Sequence, residues 1–216
     1  VSRYAPAVRL IRNAANAGFS AGLNQALAQA RGAAILTLNP DVELAPTCLE
    51  RLLEALDDGE PTVGMLSPKL LRPDRRTLDS TGLVLTKAWR VRDRGSRAQD
   101  HGQFDDDRDI LGPCAAAALY RRAMFEALRH NDQVFDETFF LLMEDVDVAA
   151  RAQRAGWRAS YVPRAVAYHR GGFSRHWSWQ AQALAFRNRY YLIAKHHRLV
   201  WRDLMWLLGY DAPRLG

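Results

Sequence analysis

Short apolar runs and helix-like stretches alternate along the first third of the chain, and that alternation restricts the fold more than any other feature. Ala7 to Arg12 alternates as a strand ending at Asn13, and Ser20 to Ala30 is an alanine- and leucine-rich helix stopped by Gly32. Ala33 to Leu38 is a mostly apolar run of the kind a strand buried on both faces shows. Asn39-Pro40-Asp41 breaks it as a turn. Pro46 then opens a helix through Leu56, with Leu49, Leu52, Leu53 and Leu56 at helical spacing, and Thr62 to Ser67 is the next strand. Strand, helix, strand, helix, strand in that order predicts an α/β layer with parallel strands.

The middle of the chain is less regular. Leu78 to Lys87 and the region near Trp89 read as a hairpin, and Asp93 to Asp109, polar and carrying Asp105, Asp106 and Asp107, reads as a mobile surface loop. Cys114 to Tyr120 reads as strand, Arg121 to Arg129 as helix, and Glu144 to Ala155 as a helix ended by Gly156. Arg158 to Val162 and Ala165 to His169 read as two short strands around Pro163. From His176 to Tyr210 the pattern turns helical and aromatic, with Trp177, Trp179, Trp201 and Trp206.

Composition narrows the classes. At 216 residues, 48% hydrophobic and 25% charged, the chain matches ordinary globular usage rather than disorder, collagen or coiled coil. No apolar run nears the roughly 18 residues of a membrane-spanning helix, and no export signal is read. Cys48 and Cys114 are too few for a disulfide framework and read as reduced, buried thiols of a cytosolic protein. The net charge of +6 rests mostly on arginine, because only Lys69, Lys87 and Lys195 are lysines. That excess is either a compositional bias or the mark of an acidic partner: ligand phosphates, anionic lipid or nucleic acid.

Several residues are placed for chemistry. On the helix beginning Glu144-Asp145-Val146-Asp147, about 100° per residue puts Val148, Ala149, Ala152 and Ala155 on one face. Asp145 falls in the middle of that face, Glu144 at its edge, and Asp147 opposite, four residues before Arg151. The helix dipole accounts for Glu144 and Asp147; a carboxylate aimed at the packed side needs a partner or a cleft. Asp41 follows a strand, where ligands of open α/β sheets collect, although a lone Asp there also serves simply as a turn former. His169 ends another strand, a place where structural histidines are also common. Asn16-Ala17-Gly18-Phe19-Ser20-Ala21-Gly22-Leu23-Asn24 joins strand to helix, and its glycines let backbone approach a ligand at a helix N-terminus or simply form a tight turn.

Taken in order, Asn16-Ala17-Gly18-Phe19 with Gly22 and Asn24, Leu38-Asn39-Pro40-Asp41, Phe135-Asp136-Glu137 with Phe140, Glu144-Asp145-Val146-Asp147 with Arg151, Gly156-Trp157, Val162-Pro163 and His169 resemble the family 2 glycosyltransferases of GT-A fold. The likeness is strongest to bacterial rhamnosyltransferases of cell-surface polysaccharide assembly and spans about Val8 to Ser174. It implies an α/β, Rossmann-related mixed sheet flanked by helices, residues 1–175, followed by a helical segment, 176–216. It implies an inverting transferase that moves a sugar from a nucleotide-diphosphate donor, dTDP-rhamnose or a UDP-sugar, to a saccharide or lipid-linked acceptor. Asp41 is similar to the metal-binding acid of that family, with Asn39 in place of the motif's first acid, and His169 to a histidine completing the Mg²⁺ or Mn²⁺ site. Asp145 matches the general base, and Glu144 would orient donor or acceptor. Asn16, Gly18, Phe19, Gly22, Asn24, Asn39, Asp41 and Gly112 would line the donor side.

The residue types suit that chemistry: a divalent cation stabilises a departing diphosphate, and an acceptor hydroxyl needs a carboxylate to take its proton. One in-line displacement needs one base and inverts the anomeric centre. Relatives open with a further βαβ portion and a nucleotide-contacting Asp, and the chain is expected to lack both. The alternative is therefore an inactive fragment that only binds a partner or membrane. Leu142 stands where an aromatic is usual two residues before the Glu-Asp pair. The segment from His176 to Tyr210 either covers the core or rests on anionic membrane. A cytoplasmic protein, peripheral on the inner face of the cell membrane, is expected. Nucleic acid is set aside because no recognition motif accompanies the charge.

Overall fold

The computed structural model describes residues 7–86, 90–171 and 179–196. In chain order these form α1 (Phe19–Gln29), β1 (Ala34–Leu38), β2 (Val42–Leu44), α2 (Cys48–Asp57), β3 (Val63–Leu71), β4 (Leu78–Ser80), β5 (Leu83–Leu85) and β6 (Val91–Asp93). They continue with β7 (Ala117–Arg121), α3 (Arg122–Leu128), a 3-10 turn (Glu137–Phe139), α4 (Glu144–Arg154), β8 (Arg158–His169) and α5 (Trp179–His196). One six-stranded sheet runs β1-β7-β3-β8-β2, with β4 joined to β3, and β5 with β6 makes a separate hairpin. β3 and β8 are parallel, whereas β7 pairs antiparallel with both β1 and β3. The parallel direction expected of β1 and β3 is therefore real, with an antiparallel strand inserted between them, and the sheet is mixed.

Alternation across the sheet builds two cores. On one face, Leu66 and Leu70 of β3 with Ala117 and Leu119 of β7 meet Cys48, Leu52 and Leu56 of α2. On the other, Met65, Ala118 and Tyr120 meet Phe125 and Leu128 of α3 and Val148, Ala149 and Ala152 of α4. The buried stripe of α2 is thus Cys48, Leu52 and Leu56, while Leu49 and Leu53 remain 41% and 37% exposed. A third cluster, Leu83, Phe139, Val146 and Leu192, joins the hairpin, the start of α4 and α5.

Three further expectations change. Ala7 to Arg12 is exposed and forms no strand, because nothing in the sheet lies alongside to take its backbone hydrogen bonds. β8 is one strand of 12 residues rather than two, with a register irregularity opposite Pro68 and Lys69 absorbing Pro163. The stretch from Asp93 to Asp109 is tied down: buried Lys69 meets Asp100 and Asp105 at 3.0 Å each, and Arg94 meets Asp107 at 3.0 Å. Trp177, Trp201 and Trp206 lie outside the described residues, and α5 packs on the domain through Asn188, Leu192 and Ile193.

Candidate active site

β1 and β2 occupy opposite ends of the strand order, so Asn39-Pro40-Asp41 carries the chain across the end of the sheet. The Asn39 amide donates to the Ala116 carbonyl (2.8 Å), and β2 then pairs with the end of β8 in a register that sets Val42 opposite His169. Asp41, one residue before Val42, has its Oδ2 3.4 Å from Nε2 of His169. The other ring nitrogen, Nδ1, is 2.7 Å from Oδ2 of Asp79 in β4. Hydrogen bonding to Asp79 raises the imidazole's pKa, burial opposes it, and the charges of Asp79, Asp41 and Asp93 add to the rise.

Asp145, the first-turn acid aimed inward, is oriented by backbone. Its Oδ2 accepts from the Ala115 amide (3.1 Å) and its Oδ1 from the Val146 amide (2.8 Å). Burial pushes this carboxyl up, and those amides pull part of the way back. Glu144 is only 4% exposed, its Oε2 has no hydrogen-bond partner, and burial followed by the neighbouring Asp145 charge raises it to about 8. The pair sits as two carboxyls that resist being charged together.

Asp147, expected on the outward side, is fully buried: Arg151 Nε (2.9 Å), His196 Nε2 (2.7 Å) and Lys195 Nζ (2.9 Å) surround it. Helical geometry placed it away from the apolar face, and α5 covers that side. Burial raises it, but the hydrogen bonds from His196 and Lys195 and the charges of Arg151 and Lys195 outweigh burial and hold it below its ordinary value.

Asp93 connects the two ends of the site. Burial lifts its carboxyl to about 6; hydrogen bonds involving Ser80 and Cys114 oppose this, and the charges of Asp145 and Asp79 add to it. Its Oδ1 is shut off from solvent with no hydrogen-bond partner. Asp79 and Asp93 belong to the candidate site and were missed by the sequence reading. Each lies in a three-residue strand, too short for periodicity to mark, and only tertiary structure brings them beside His169 and Asp145. Cys114 joins this cluster with its thiol pushed well up by burial and by the charges of Asp93 and Asp145.

The segment expected to contact a donor packs on the loop before Glu144. Gly18 (φ 88°) lies so close to Phe140 that an added Cβ would stand 2.5 Å from its ring and 2.7 Å from its carbonyl oxygen. The Phe19 amide donates to that carbonyl, and Asn16 Oδ1 accepts from the Gly18 amide. Asn24 is a fastener: Oδ1 accepts from Val134 and Phe135 amides, while Nδ2 donates to the Phe135 carbonyl and Glu137. All four of its hydrogen-bonding positions are taken, so it has none left for a ligand. Gly112 is buried against α4, where a Cβ would meet that of Ala149 at 2.5 Å, so close packing explains its identity. Gly22 has open space around it.

Among the described residues no three His, Cys, Asp or Glu side chains are arranged to hold a metal unaided. Asp41 and His169 do fit a divalent ion whose other ligands come from a substrate. One is a hard carboxylate; the other is an imidazole whose far nitrogen is fixed by Asp79, the arrangement that orients metal-binding histidines. No helix among the described residues is long and apolar enough to cross a membrane.

The mixed sheet, with acids gathered at the carboxyl ends of its parallel strands, defines a class. The mannosyltransferase PcManGT from Pyrobaculum calidifontis, solved with GDP-Man and Mn²⁺, matches 98% of this chain and 54% of its own with a TM-score of 0.59 at 18% identity. GalNAc-T7, solved with UDP, GalNAc and Mn²⁺, matches 75% of this chain and 32% of its own with a TM-score of 0.57 at 13% identity. This chain thus spans about half the length of the first, and the fold is that of the GT-A glycosyltransferases. N-acetylglucosaminyl-diphospho-decaprenol L-rhamnosyltransferase of Mycobacterium tuberculosis is 28% identical over 232 aligned residues, 96% of this chain and 74% of that protein. The model of Glycosyl transferase family 2 matches residues 1–129, more than half of the chain, and the chain belongs to that family.

Proposed function

We propose that the chain carries the catalytic site of an inverting glycosyltransferase that moves a sugar, rhamnose being favoured, from a nucleotide-diphosphate donor to a lipid-linked saccharide in cell-surface polysaccharide synthesis. The observation that carries this reading is the approach of Asp41 to His169 at 3.4 Å beside Asp79, with Asp93 placed where it feels the charges of both Asp79 and Asp145. The name of the mycobacterial relative supports the choice of rhamnose and of a prenyl-diphosphate-linked acceptor.

Asp41 and His169 would hold Mg²⁺ or Mn²⁺, which when bound supplies positive charge to a departing diphosphate. Asp145, fixed by two amides, takes the acceptor hydroxyl's proton. The hydroxyl oxygen then bonds to the anomeric carbon as the bond to the donor's diphosphate breaks with its electron pair, inverting the centre. A carboxylate whose proton affinity is raised by burial is the better base for this step. Glu144, kept neutral at moderate pH, adds no second charge beside it and is placed to orient donor or acceptor. Asn16, Phe19, Gly22 and Asn39 remain the donor-side candidates, and a lipid-linked acceptor places the protein on the inner face of the membrane.

Asp145→Asn keeps the shape of the side chain and removes the base. It is expected to abolish sugar transfer, by at least about 10³-fold, while nucleotide binding measured by calorimetry stays. Retained transfer would reject Asp145 as base.

A further inference from the structure

We infer that Asn188, on α5, is a positioning residue for the Glu144–Asp145 pair; the inference rests on the reading of Asp145 as base. The segment entering α4 is unusual. Phe140, Leu142 and Met143 have φ of 60°, 73° and 75°, a region that non-glycine residues occupy only under strain. Met143, at the N-cap, provides no side-chain cap, so α4 begins without the local hydrogen bond that usually fixes a first turn. Glu144 and Asp145 follow immediately; the Val146 amide donates to Asp145 Oδ1 within the first turn of α4, which leaves the turns before the pair to be restrained from elsewhere.

The restraint comes from α5. Asn188 is fully buried, and its Nδ2 lies 2.8 Å from each of the carbonyl oxygens of Phe139, Leu141 and Leu142. Its Oδ1 accepts from Arg187, whose Nη2 also donates to the carbonyls of Thr138 (2.7 Å) and Phe139 (3.2 Å). The two hydrogens of one carboxamide are thus shared among the three carbonyls that the left-handed turns deflect from ordinary secondary-structure partners, and Arg187 reaches that of Phe139 as well. Either side of it, α5 grips the same segment again. Tyr191 and Lys195 bind Asp136 just before the turns, and Lys195 with His196 binds Asp147 just after the pair. The two acids therefore sit between two anchor points, with Asn188 holding the strained turns in the interval. Asn188 contacts neither acid and acts through the backbone that aims them.

The test compares the intact protein with Asn188→Ala and with Asn188→Ser, which keeps one hydroxyl donor. It measures kcat, acceptor KM, donor-nucleotide Kd, and amide hydrogen exchange of the peptides covering 138–147. For Asn188→Ala the expectation is a fall in kcat on the order of 10²-fold with nucleotide Kd within about two-fold, and faster exchange confined to 138–147. Asn188→Ser should fall between it and the wild type in both readouts. A folded Asn188→Ala protein with unchanged exchange there, or with faster exchange and unchanged kcat, overturns the proposal. So does global unfolding of both variants, which would make Asn188 a general core residue. Asp145→Asn is assayed alongside: if it still turns over, the reading of the base fails, while the exchange data still decide whether Asn188 holds the turns.

Discussion

Replacing Glu144 by Gln tests whether a carboxyl that burial makes reluctant to ionise lowers stability at neutral pH. In the folded chain burial, and then the charge of Asp145, raise Glu144 from its ordinary 4.5 to about 8, so the folded state binds a proton that the unfolded state releases near 4.5. Between those values stability must fall as pH rises, by about 1.4 kcal/mol per pH unit for one proton, or about 5 kcal/mol across the window. Asp93, raised to about 6, and the raised Asp145 add falls of the same sign at the lower end, and the raised His169 adds one above its ordinary 6.5. Gln reproduces the protonated carboxyl's shape without ionising. Urea unfolding at intervals from about pH 5 to about pH 8, in chelator-containing buffer, should find the two proteins nearly equal at the acid end. They should then diverge, with Glu144→Gln more stable by several kcal/mol at the alkaline end. Parallel curves would refute the argument, because they would mean that the Glu144 carboxyl ionises in the folded protein as readily as in water.

Two other substitutions probe the framework of the site. Asp79→Ala frees Nδ1 of His169 and is expected to weaken Mn²⁺ binding about 10- to 100-fold by titration calorimetry, with little change in melting temperature; unchanged affinity would remove Asp79 from the cation corner. Gly18→Ala places a Cβ against Phe140 at a φ of 88° and is expected to cost about 3 kcal/mol, read as a lower melting temperature.

The parts of this molecule that announce themselves in sequence are those whose neighbours are near along the chain or whose pattern is long. α1, α4 and the apolar run of β1 stand close to their expected limits because their spacing and stop residues are local. The reading failed where a distant element decides the outcome. Asp147 looked solvent-facing because nothing in its own helix reveals that α5 will cover it. Ala7 to Arg12 carries a strand's alternation, yet a strand needs a neighbour, which local pattern cannot supply. Asn24 seemed a ligand-binding residue because an amide at a helix start suits either role; only its contacts with Val134, Phe135 and Glu137 separate them. Asp41 and His169 were legible as strand-end residues, but their meeting is a fact of register, and Asp79 and Asp93 entered the site from strands of three residues.

That register ties catalysis to correct assembly. Side chains alternate along β8, so a slip of one residue against β2 would set Tyr168 or Arg170 opposite Val42 in place of His169 and turn the imidazole to the opposite side of the sheet from Asp41. A mispaired molecule would therefore lack its cation corner altogether rather than keep a weakened one. Loading with Mn²⁺ would then report on the quality of a preparation, because only correctly registered chains would take up the ion.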